Sequence, residues 1–368
     1  MDEVLSRSRL NRAALARQML LARQEVTAAA AVERLLVMQA QEARPPFVGL
    51  WSRVAGFSAD LLRQALHGRE VVRATHVRGT LHLLSAADYL AFRAPVQPVL
   101  TASAASIAKR LGGPLPEQGE LLAAARAILE KGPADFGTIR EGLRERFPQV
   151  NERALGYAVR MQLPLVMVPT GDPWAFPANA DFTLAELWLG EPIAPDESPA
   201  PLVLRYLASY GLAGVADMQT WSGLKGLKPV FEELRPRLRV FRDENGRELF
   251  DLPDAPRPEA EVAAPARFLP EFDGLVLAYA DRGRIVSEEH RPRLVTKNLR
   301  VPASFLWDGF VRGTWKAAIR KTSATLVLTP FEPLPGAALA ELEEEGRGLL
   351  GFLAPGVATT DVRVDPAG

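Results

Sequence analysis

One pattern recurs in the middle of this 368-residue chain and narrows the folds that it can adopt. Three helical segments followed by a β-hairpin occur twice in succession, with helix caps and turn residues at the expected places. The first unit has helices at 119–133, 135–147 and 151–163, the last capped by Asn151, and a hairpin at 165–177. The second has helices at 198–213, 215–224 and 225–238 and a hairpin at 238–253 that turns at Glu244-Asn245-Gly246. This order is typical of winged helix-turn-helix domains, whose third helix enters the major groove of DNA.

The N-terminal region has a longer version of the same unit. Residues 5–20, 27–41 and 58–68 have helical patterns, with Thr27 as a helix cap, and residues 71–84 are rich in strand-forming side chains. We therefore predict three tandem winged helix-turn-helix units. Generic helices with unrelated hairpins are the alternative that the pattern alone leaves open.

The last third of the chain is rich in β-forming residues. A proline- and acid-rich linker precedes five short runs of such residues, the first at 272–281, which are separated by glycine and aspartate turns. These runs predict a small β-barrel or a curled sheet, and an amphipathic segment at 334–353 predicts a final helix. The predicted fold class is α+β, with three tandem winged helix-turn-helix units, a C-terminal β-barrel and a terminal helix. The predicted boundaries are 1–112, 113–194 and 195–253 for the units, 254–266 for the linker, 267–331 for the barrel and 332–368 for the helix and tail.

Charge is distributed unevenly along the chain. The sequence has 44 basic and 44 acidic residues, yet residues 1–111 carry a net charge of +7, residues 112–200 one of −6 and residues 282–321 one of +7. Because a local basic surface is enough to bind phosphates, overall neutrality does not exclude a nucleic-acid partner. A solvated surface of mixed charge is the alternative.

Several common signatures are missing from the sequence. There is no cysteine, no run of 18 apolar residues and no secretory signal at the N-terminus, so we expect a cytoplasmic protein without a membrane segment. No phosphate-binding loop, dinucleotide-binding motif or serine-nucleophile motif occurs. His76 and His82 lie six residues apart in a strand-like stretch, but no acidic third ligand stands at a suitable spacing. We therefore predict neither a metal nor another cofactor.

Two glutamines, Gln39 and Gln41, follow an apolar run and precede the proline pair Pro45-Pro46. Residues at i and i+2 do not share a helix face. At a helix end or in an extended turn, however, both amides can converge on one small target, and each offers one acceptor oxygen and two donor hydrogens. Ordinary polar side chains at a helix end are the alternative interpretation.

The segment Gln39-Ala40-Gln41, together with RATHVRGTLHLLSAADY (73–89), RFLPEFDGLVLAYADR (267–282) and FLWDGFVRGTWK (305–316), resembles the AlkZ-type DNA glycosylases. The resemblance extends from Leu10 to about Pro330. It implies three tandem winged-helix domains plus a β-barrel, and a monomeric, monofunctional glycosylase. The implied substrate is double-stranded DNA containing N7-alkylguanine, and some family members act on interstrand crosslinks or on bulky adducts of DNA-alkylating antibiotics.

The family's catalytic signature is Gln-apolar-Gln, which Gln39, Ala40 and Gln41 match; a related subgroup has Asp in the final position, unlike this chain. Alkylation at N7 puts a positive charge on guanine, so the base is already a good leaving group. The enzyme then has to place a water at C1′ and stabilise the oxocarbenium character of the sugar. A glutamine oxygen can accept a hydrogen bond from that water and direct partial negative charge toward the cation.

Further candidates for contacts with DNA are weaker. His76 and Arg78 are predicted to bind the phosphate beside the lesion, with a purely structural turn as the alternative. Residues 282–300 are predicted to form a basic hairpin, with a solvated hairpin as the alternative. Its phosphate contacts would be Arg282, Arg284, Arg291, Arg293, Lys297 and Arg300. Trp51 and Trp315 are candidates for base stacking, although core packing is favoured for each.

The rival functional class is a noncatalytic, DNA-binding transcriptional regulator. Such a regulator typically has one winged-helix unit and forms dimers on palindromic sites. Three units in one chain can surround DNA without a partner. The rival also offers no explanation for the glutamine pair.

Overall fold

The computed structural model describes residues 3–294 and 300–367. Its helices are α1 (Arg7–Arg17), α2 (Ala28–Leu35), α3 (Pro45–Trp51), α4 (Ala59–His67), α5 (Ala86–Phe92), α6 (Gln97–Arg110), α7 (Gln118–Leu129), α8 (Phe136–Arg146), α9 (Glu152–Gln162), α10 (Ala185–Leu189), α11 (Ala200–Tyr210), α12 (Val215–Ser222), α13 (Lys228–Leu234), α14 (Gly274–Leu277), α15 (Arg291–Leu294) and α16 (Gly336–Leu353). Its strands are β1 (Glu3–Leu5), β2 (Met38–Gln39), β3 (Val71–Thr75), β4 (Leu81–Ser85), β5 (Leu165–Met167), β6 (Phe182–Leu184), β7 (Arg239–Asp243), β8 (Glu248–Asp251), β9 (Arg267–Leu269), β10 (Ser304–Trp307), β11 (Phe310–Ile319), β12 (Ser323–Pro330) and β13 (Thr359–Val364). Within the described ranges, no helix is both long enough and apolar enough to cross a lipid bilayer.

The central sheet has the strand order β2-β4-β3-β5-β6, and every neighbouring pair is antiparallel. All residues of β3 to β6 are buried, because one hydrophobic cluster packs on each side of the sheet. Val72 and Leu84 belong to one cluster, and Leu83 and Leu165 belong to the other. The edge strands are β2 and β6, and β2, which contains the first glutamine, is the one with a partly exposed residue.

The central sheet joins strands from two of the predicted units, since Ala74 of β3 pairs with Val166 of β5. Similarly, β1 at the N-terminus pairs in parallel with β7, which belongs to the third predicted unit. Three helices precede each hairpin of the second and third units, as the sequence indicates, but the second strand of the second unit's hairpin is β6 at Phe182–Leu184, beyond the predicted 165–177. The division into winged helix-turn-helix units stays a prediction. The pairings β3–β5 and β1–β7 each join strands from two different predicted units into one sheet.

The outer sheet has the strand order β13-β12-β11-β10-β9 and two free edges. The predicted β-barrel is therefore wrong, because β9 and β13 do not pair to close the sheet. Burial alternates along β12, and its buried side chains, including Leu326 and Leu328, pack with Leu342 and Leu349 of α16. A helix thus covers the apolar face that barrel closure would otherwise enclose.

Several local predictions hold and others fail. Asn151 caps α9, with Oδ1 accepting from the backbone N–H groups of Arg153 and Ala154. The hairpin β7–β8 turns at Asn245-Gly246 as predicted. Residues 272–281, expected as a strand, instead contain the short helix α14, because Asp273 accepts from the backbone N–H of Leu275 and caps it.

Candidate active site

Gln39 lies on the extended backbone of β2, and Gln41 lies in the bend that follows it, so neither is at the end of a long helix. Helix α2 stops at Leu35, where Leu36 takes a left-handed conformation with φ 66°. The hydroxyl of Tyr210 donates to the carbonyl oxygens of Leu35 and Val37, at 3.2 and 3.4 Å, and so holds this reversal. The chain then forms β2, and the predicted helix over 27–41 is wrong in its last six residues.

The hydrogen bonds of the two amides define their orientation. Gln39 is half-buried, and its Oε1 accepts from Nη2 of Arg78 at 3.0 Å. Gln41 is exposed, and its Oε1 accepts from the backbone N–H of Leu81 at 3.3 Å. Because both partners can only donate, the oxygen of each amide must face them. Each oxygen retains one lone pair, and neither NH₂ group has a hydrogen-bond partner among the described residues.

Arg73 lies on β3 and binds the backbone carbonyls of the glutamine motif, Gln39-Ala40-Gln41. Its Nε donates to the carbonyl of Ala40 at 2.9 Å, and its Nη2 donates to the carbonyl of Gln41 at 3.1 Å. The guanidinium also lies over the ring of Phe176, 4.9 Å from its centre. Burial lowers the pKa of Arg73 to about 10, so it stays cationic at neutral pH. The sequence offered no local signal for this role beyond the position of Arg73 in segment 73–89.

Two buried histidines lie beside the glutamines. His82 is directly opposite Gln39 in the β2–β4 pair, so both side chains are on one face of the sheet. Its Nδ1 lies 3.0 Å from the carbonyl of Thr80, which leaves Nε2 as the acceptor nitrogen. Burial, assisted by Arg78 and His76, lowers the pKa of His82 well below its usual value. Both rings are fully buried, and burial lowers the pKa of His76 to about 3, so both are neutral.

A narrow cleft opens beside Gln39. Met38, Pro45 and Pro46 contribute apolar surface to it, and residues 270–274 form the facing side. Beneath it lies a buried ion pair, in which Nη2 of Arg53 is 2.8 Å from Oδ1 of Asp273. Among the described residues, no three histidine, aspartate or glutamate side chains meet in an arrangement that could hold a metal.

The family model for AlkZ-like DNA glycosylases matches residues 32–352. This range is most of the chain and includes the glutamine pair, the central sheet and the outer sheet apart from β13.

The chain belongs to the AlkZ-like DNA glycosylase family.

The resemblance found from the sequence segments is thereby confirmed, and the family supports a DNA glycosylase. Among solved structures, the Streptomyces sahachiroi DNA glycosylase AlkZ has a similar fold, with a TM-score of 0.79 and 23% sequence identity. The alignment covers 98% of this chain and 100% of that one. No match was found among curated proteins.

In this AlkZ-like glycosylase, the predicted phosphate contacts at residues 76 and 78 differ in exposure, since His76 is fully buried and Arg78 is half-buried. The His76 ring presents no surface to a phosphate, since it is fully buried. Arg78 binds two protein carbonyl groups, the side chain of Gln39 and the backbone of Trp221. The structure therefore excludes the His76 ring as a surface contact, whereas the guanidinium of Arg78 is engaged by protein carbonyl groups while the residue stays partly exposed.

Both tryptophans of the glycosylase pack against protein groups. Trp315 is buried in the outer sheet, where its Nε1 donates to the carbonyl of Leu269 at 2.9 Å. Trp51 is half-buried between the guanidinium of Arg23, 4.5 Å from its ring centre, and the ring of Phe352, at 6.2 Å. These contacts agree with core packing, the favoured alternative in the sequence.

The basic hairpin predicted at 282–300 is wrong over the described residues. Residues 282–290 form turns, and 291–294 form the short helix α15. Arg284 is buried, with Nη1 2.5 Å from the carbonyl of Leu212 and its guanidinium 4.3 Å from the ring centre of Tyr279. Lys297 lies outside the described residues. Among the other predicted contacts, Arg282 is half-buried, and the exposed ones are Arg291, Arg293 and Arg300.

Proposed function

We propose that this glycosylase hydrolyses the N-glycosidic bond of N7-alkylguanine in double-stranded DNA, using a water held by Gln39 and Gln41. The observation that carries this proposal is the orientation of the two amides. Gln39 lies on the edge strand β2 and Gln41 in the bend that follows it, and each carbonyl oxygen accepts a hydrogen bond from one donor of the protein. Each oxygen keeps a lone pair for a hydrogen of the attacking water.

The chemistry suits a lesion that already carries positive charge. The water oxygen bonds to C1′ while the C1′–N9 bond breaks, and the electron pair of that bond neutralises the departing N7-alkylguanine. One proton of the water is released to solvent. A neutral amide is not a general base, and the nearby His82 has its only free ring nitrogen buried. The site therefore favours labile cationic lesions over neutral bases, whose departure would need protonation.

The amides contribute by position and by partial charge. Hydrogen bonds to the water reduce the entropy lost when it attacks, and the carbonyl dipoles stabilise the developing oxocarbenium ion. The only carboxylate described beneath the cleft, that of Asp273, is paired with Arg53. Glu271 also lines the cleft but is exposed, so solvent screens its charge.

DNA binding in this proposal relies on basic residues at the surface and needs no partner subunit. Arg291 and Arg293 are exposed at α15, close to Arg282, whose pKa is lowered by burial and then by Arg291. Such a group of guanidinium ions can neutralise phosphates without reading base sequence. Activity on interstrand crosslinks or bulky antibiotic adducts, and a role in self-resistance, stay predictions from the resemblance.

The test is excision of N7-methylguanine from a duplex under single-turnover conditions, followed by alkaline cleavage of the abasic sites. We expect Gln39→Ala and Gln41→Ala each to slow base release by roughly ten- to a thousandfold, about 1.4–4 kcal/mol of barrier. The double variant should lose less than the product of the two, because both amides hold one water. Gln41→Asp should retain activity, since a carboxylate also accepts from water.

Gln64→Ala is the matched control, because Gln64 is an exposed glutamine on α4 away from the cleft. Its rate should equal that of the wild type. Thermal unfolding separates lost chemistry from lost structure. The proposal is wrong if the double variant of the motif releases the base at the wild-type rate, or if both single variants fail to fold.

A further inference from the structure

We propose that Arg78 is a positioning residue that holds the amide of Gln39 with its oxygen turned inward, and not a contact to DNA phosphate. This inference rests on the proposed role of Gln39 in base release. The sequence instead suggests that Arg78 binds DNA phosphate. Loss of a positioning residue lowers the rate of base release, whereas loss of a phosphate contact lowers the affinity for duplex DNA.

The backbone directs Arg78 into the protein. The residue lies in the short 3₁₀ turn Val77–Gly79 between β3 and β4, with a left-handed φ of 55°. The backbone N–H of His76 donates to the carbonyl of Thr80 at 3.0 Å and closes the turn. Gly79 is required next to it, because its φ is +69° and a Cβ there would lie 3.1 Å from Oγ of Ser103. The turn is thus packed against α6, and its conformation is set independently of DNA.

The guanidinium has two anchors on different parts of the chain. Nη2 donates to Oε1 of Gln39 at 3.0 Å, and Nη1 donates to the backbone carbonyl of Trp221. Trp221 is the second-last residue of α12, so its carbonyl is one of those that a helix leaves without an intrahelical partner. A cation is favoured at this negative end of the helix dipole.

The second anchor is itself rigid. The Trp221 ring is almost fully buried and lies 5.1 Å from the ring of Tyr206 and 5.9 Å from that of Tyr210. Tyr210 also holds the carbonyls of Leu35 and Val37, just before β2. Arg78 and Tyr210 therefore connect one packed aromatic cluster to both the backbone and the side chain of the Gln39 segment.

The guanidinium of Arg78 is planar, and hydrogen bonds from both of its terminal nitrogens to carbonyl oxygens fix its orientation. Its hydrogen bond leaves Gln39 with one free lone pair on Oε1 and with its NH₂ group turned away from Arg78. Without this bond the amide can rotate and present nitrogen where the oxygen stood. Loss of Arg78 should therefore slow base release while leaving the binding of duplex DNA unchanged.

The experiment compares Arg78→Gln and Arg78→Lys with Arg69→Gln. Arg69 is a close match: it also has a left-handed φ, of 65°, and it donates to a tryptophan carbonyl, that of Trp188 at 2.8 Å. It is exposed and makes no contact with either glutamine. We expect Arg78→Gln to slow single-turnover release of N7-methylguanine about ten- to a hundredfold, with duplex affinity within about twofold of wild type. Arg78→Lys should recover part of the rate, and Arg69→Gln should leave it unchanged.

A double-variant cycle with Gln39→Ala gives the decisive readout. If Arg78 acts through Gln39, then Arg78→Gln should have almost no further effect on the rate in the Gln39→Ala background. An equal loss in both backgrounds overturns the inference. So does weaker duplex binding with a salt dependence reduced by about one phosphate contact, because that result marks a contact to DNA.

Failure of this inference is distinct from failure of the proposed function. A wild-type rate for Arg78→Gln together with a slow Gln39→Ala variant removes the positioning role and leaves the glutamine mechanism intact. A wild-type rate for Gln39→Ala removes both. If Arg78→Gln fails to fold, the same cycle with Arg78→Lys decides the question.

Discussion

The central sheet and the outer sheet show two ways of using β-structure in one chain. In the central sheet, β3 to β6 are buried on both faces, and even polar residues such as His82 are enclosed. In the outer sheet, burial alternates along β12, and the uncovered face carries residues such as Thr325. The glutamine motif is attached to the enclosed sheet, where its neighbours have little freedom to move.

The ion pairs of the two regions differ in the same way. Beneath the cleft, Arg53 and Asp273 have side chains only 1% and 3% exposed. On the outer sheet, Arg363 and Asp361 have side chains 70% and 53% exposed. The comparison indicates that the site depends on interactions that are costly to disturb, whereas the outer sheet tolerates change.

The largest expected difference is between these two ion pairs. Asp273→Ala should lower the free energy of unfolding by about 3–5 kcal/mol, because it leaves the Arg53 guanidinium buried without its partner. Asp361→Ala should change it by less than about 0.5 kcal/mol, because solvent already screens that pair. Urea denaturation of both variants measures the two values. Similar values would contradict the contrast between the sheets.

A smaller difference is expected for apolar side chains. Leu83 of β4 is 1% exposed, so Leu83→Ala should cost about 2–5 kcal/mol through lost burial and the cavity that remains. Val327 on the uncovered face of β12 is only half-buried, and Val327→Ala should cost under about 1 kcal/mol. The shift in unfolding midpoint at an unchanged urea dependence gives both numbers. A larger loss at Val327 would show that the outer sheet is the less tolerant one.

The smallest expected effect is the loss of folding stability at acidic pH. His76 and His82 are neutral in the fold, whereas in the unfolded chain they gain protons near their ordinary pKa of about 6.5. The unfolded state therefore binds more protons below that pH, and stability falls as pH drops toward the depressed folded pKa, about 3 for His76. Each histidine lowers the free energy of unfolding by at most about 1.4 kcal/mol per pH unit.

His82→Gln should flatten this dependence, measured as the urea midpoint between pH 7.5 and 5. The exposed Gln64 provides the control, because Gln64→Ala removes no titratable group and should leave the slope as it is in the wild type. An unchanged slope in the His82 variant would mean that this ring is not held neutral by burial.

Much of the chain could be predicted from local patterns. The helix series before the hairpins at residues 165 and 238, the Asn151 cap and the turn at Asn245-Gly246 all depend on residues a few positions apart. Such signals survive folding because neighbouring residues are always close in space. The glutamine motif and its flanking segments were likewise enough to identify the family.

The secondary-structure predictions fail where a short apolar run is compatible with more than one structure. Residues 272–281 suit a strand or a buried helix equally well, and the Asp273 cap together with tertiary packing selects α14. Residues 27–41 read as one helix, yet Tyr210, far along the chain, holds the reversal at Leu36. The apolar face of the outer sheet indicated closure into a barrel, and only the position of α16 shows what covers it.

The sequence by itself determined the helix series, the family and the identity of the two amides proposed for chemistry. Only the tertiary structure decided what those amides face. Arg73 and Arg78 have the same charge and lie five residues apart, and only Arg78 was predicted to bind phosphate; in the structure, Arg73 holds the backbone of Gln41 and Arg78 the side chain of Gln39. The physical reason is that a guanidinium takes its role from the oxygen atoms within about 3 Å of it. For Arg78 those oxygens belong to residues 39 and 143 positions away in the sequence.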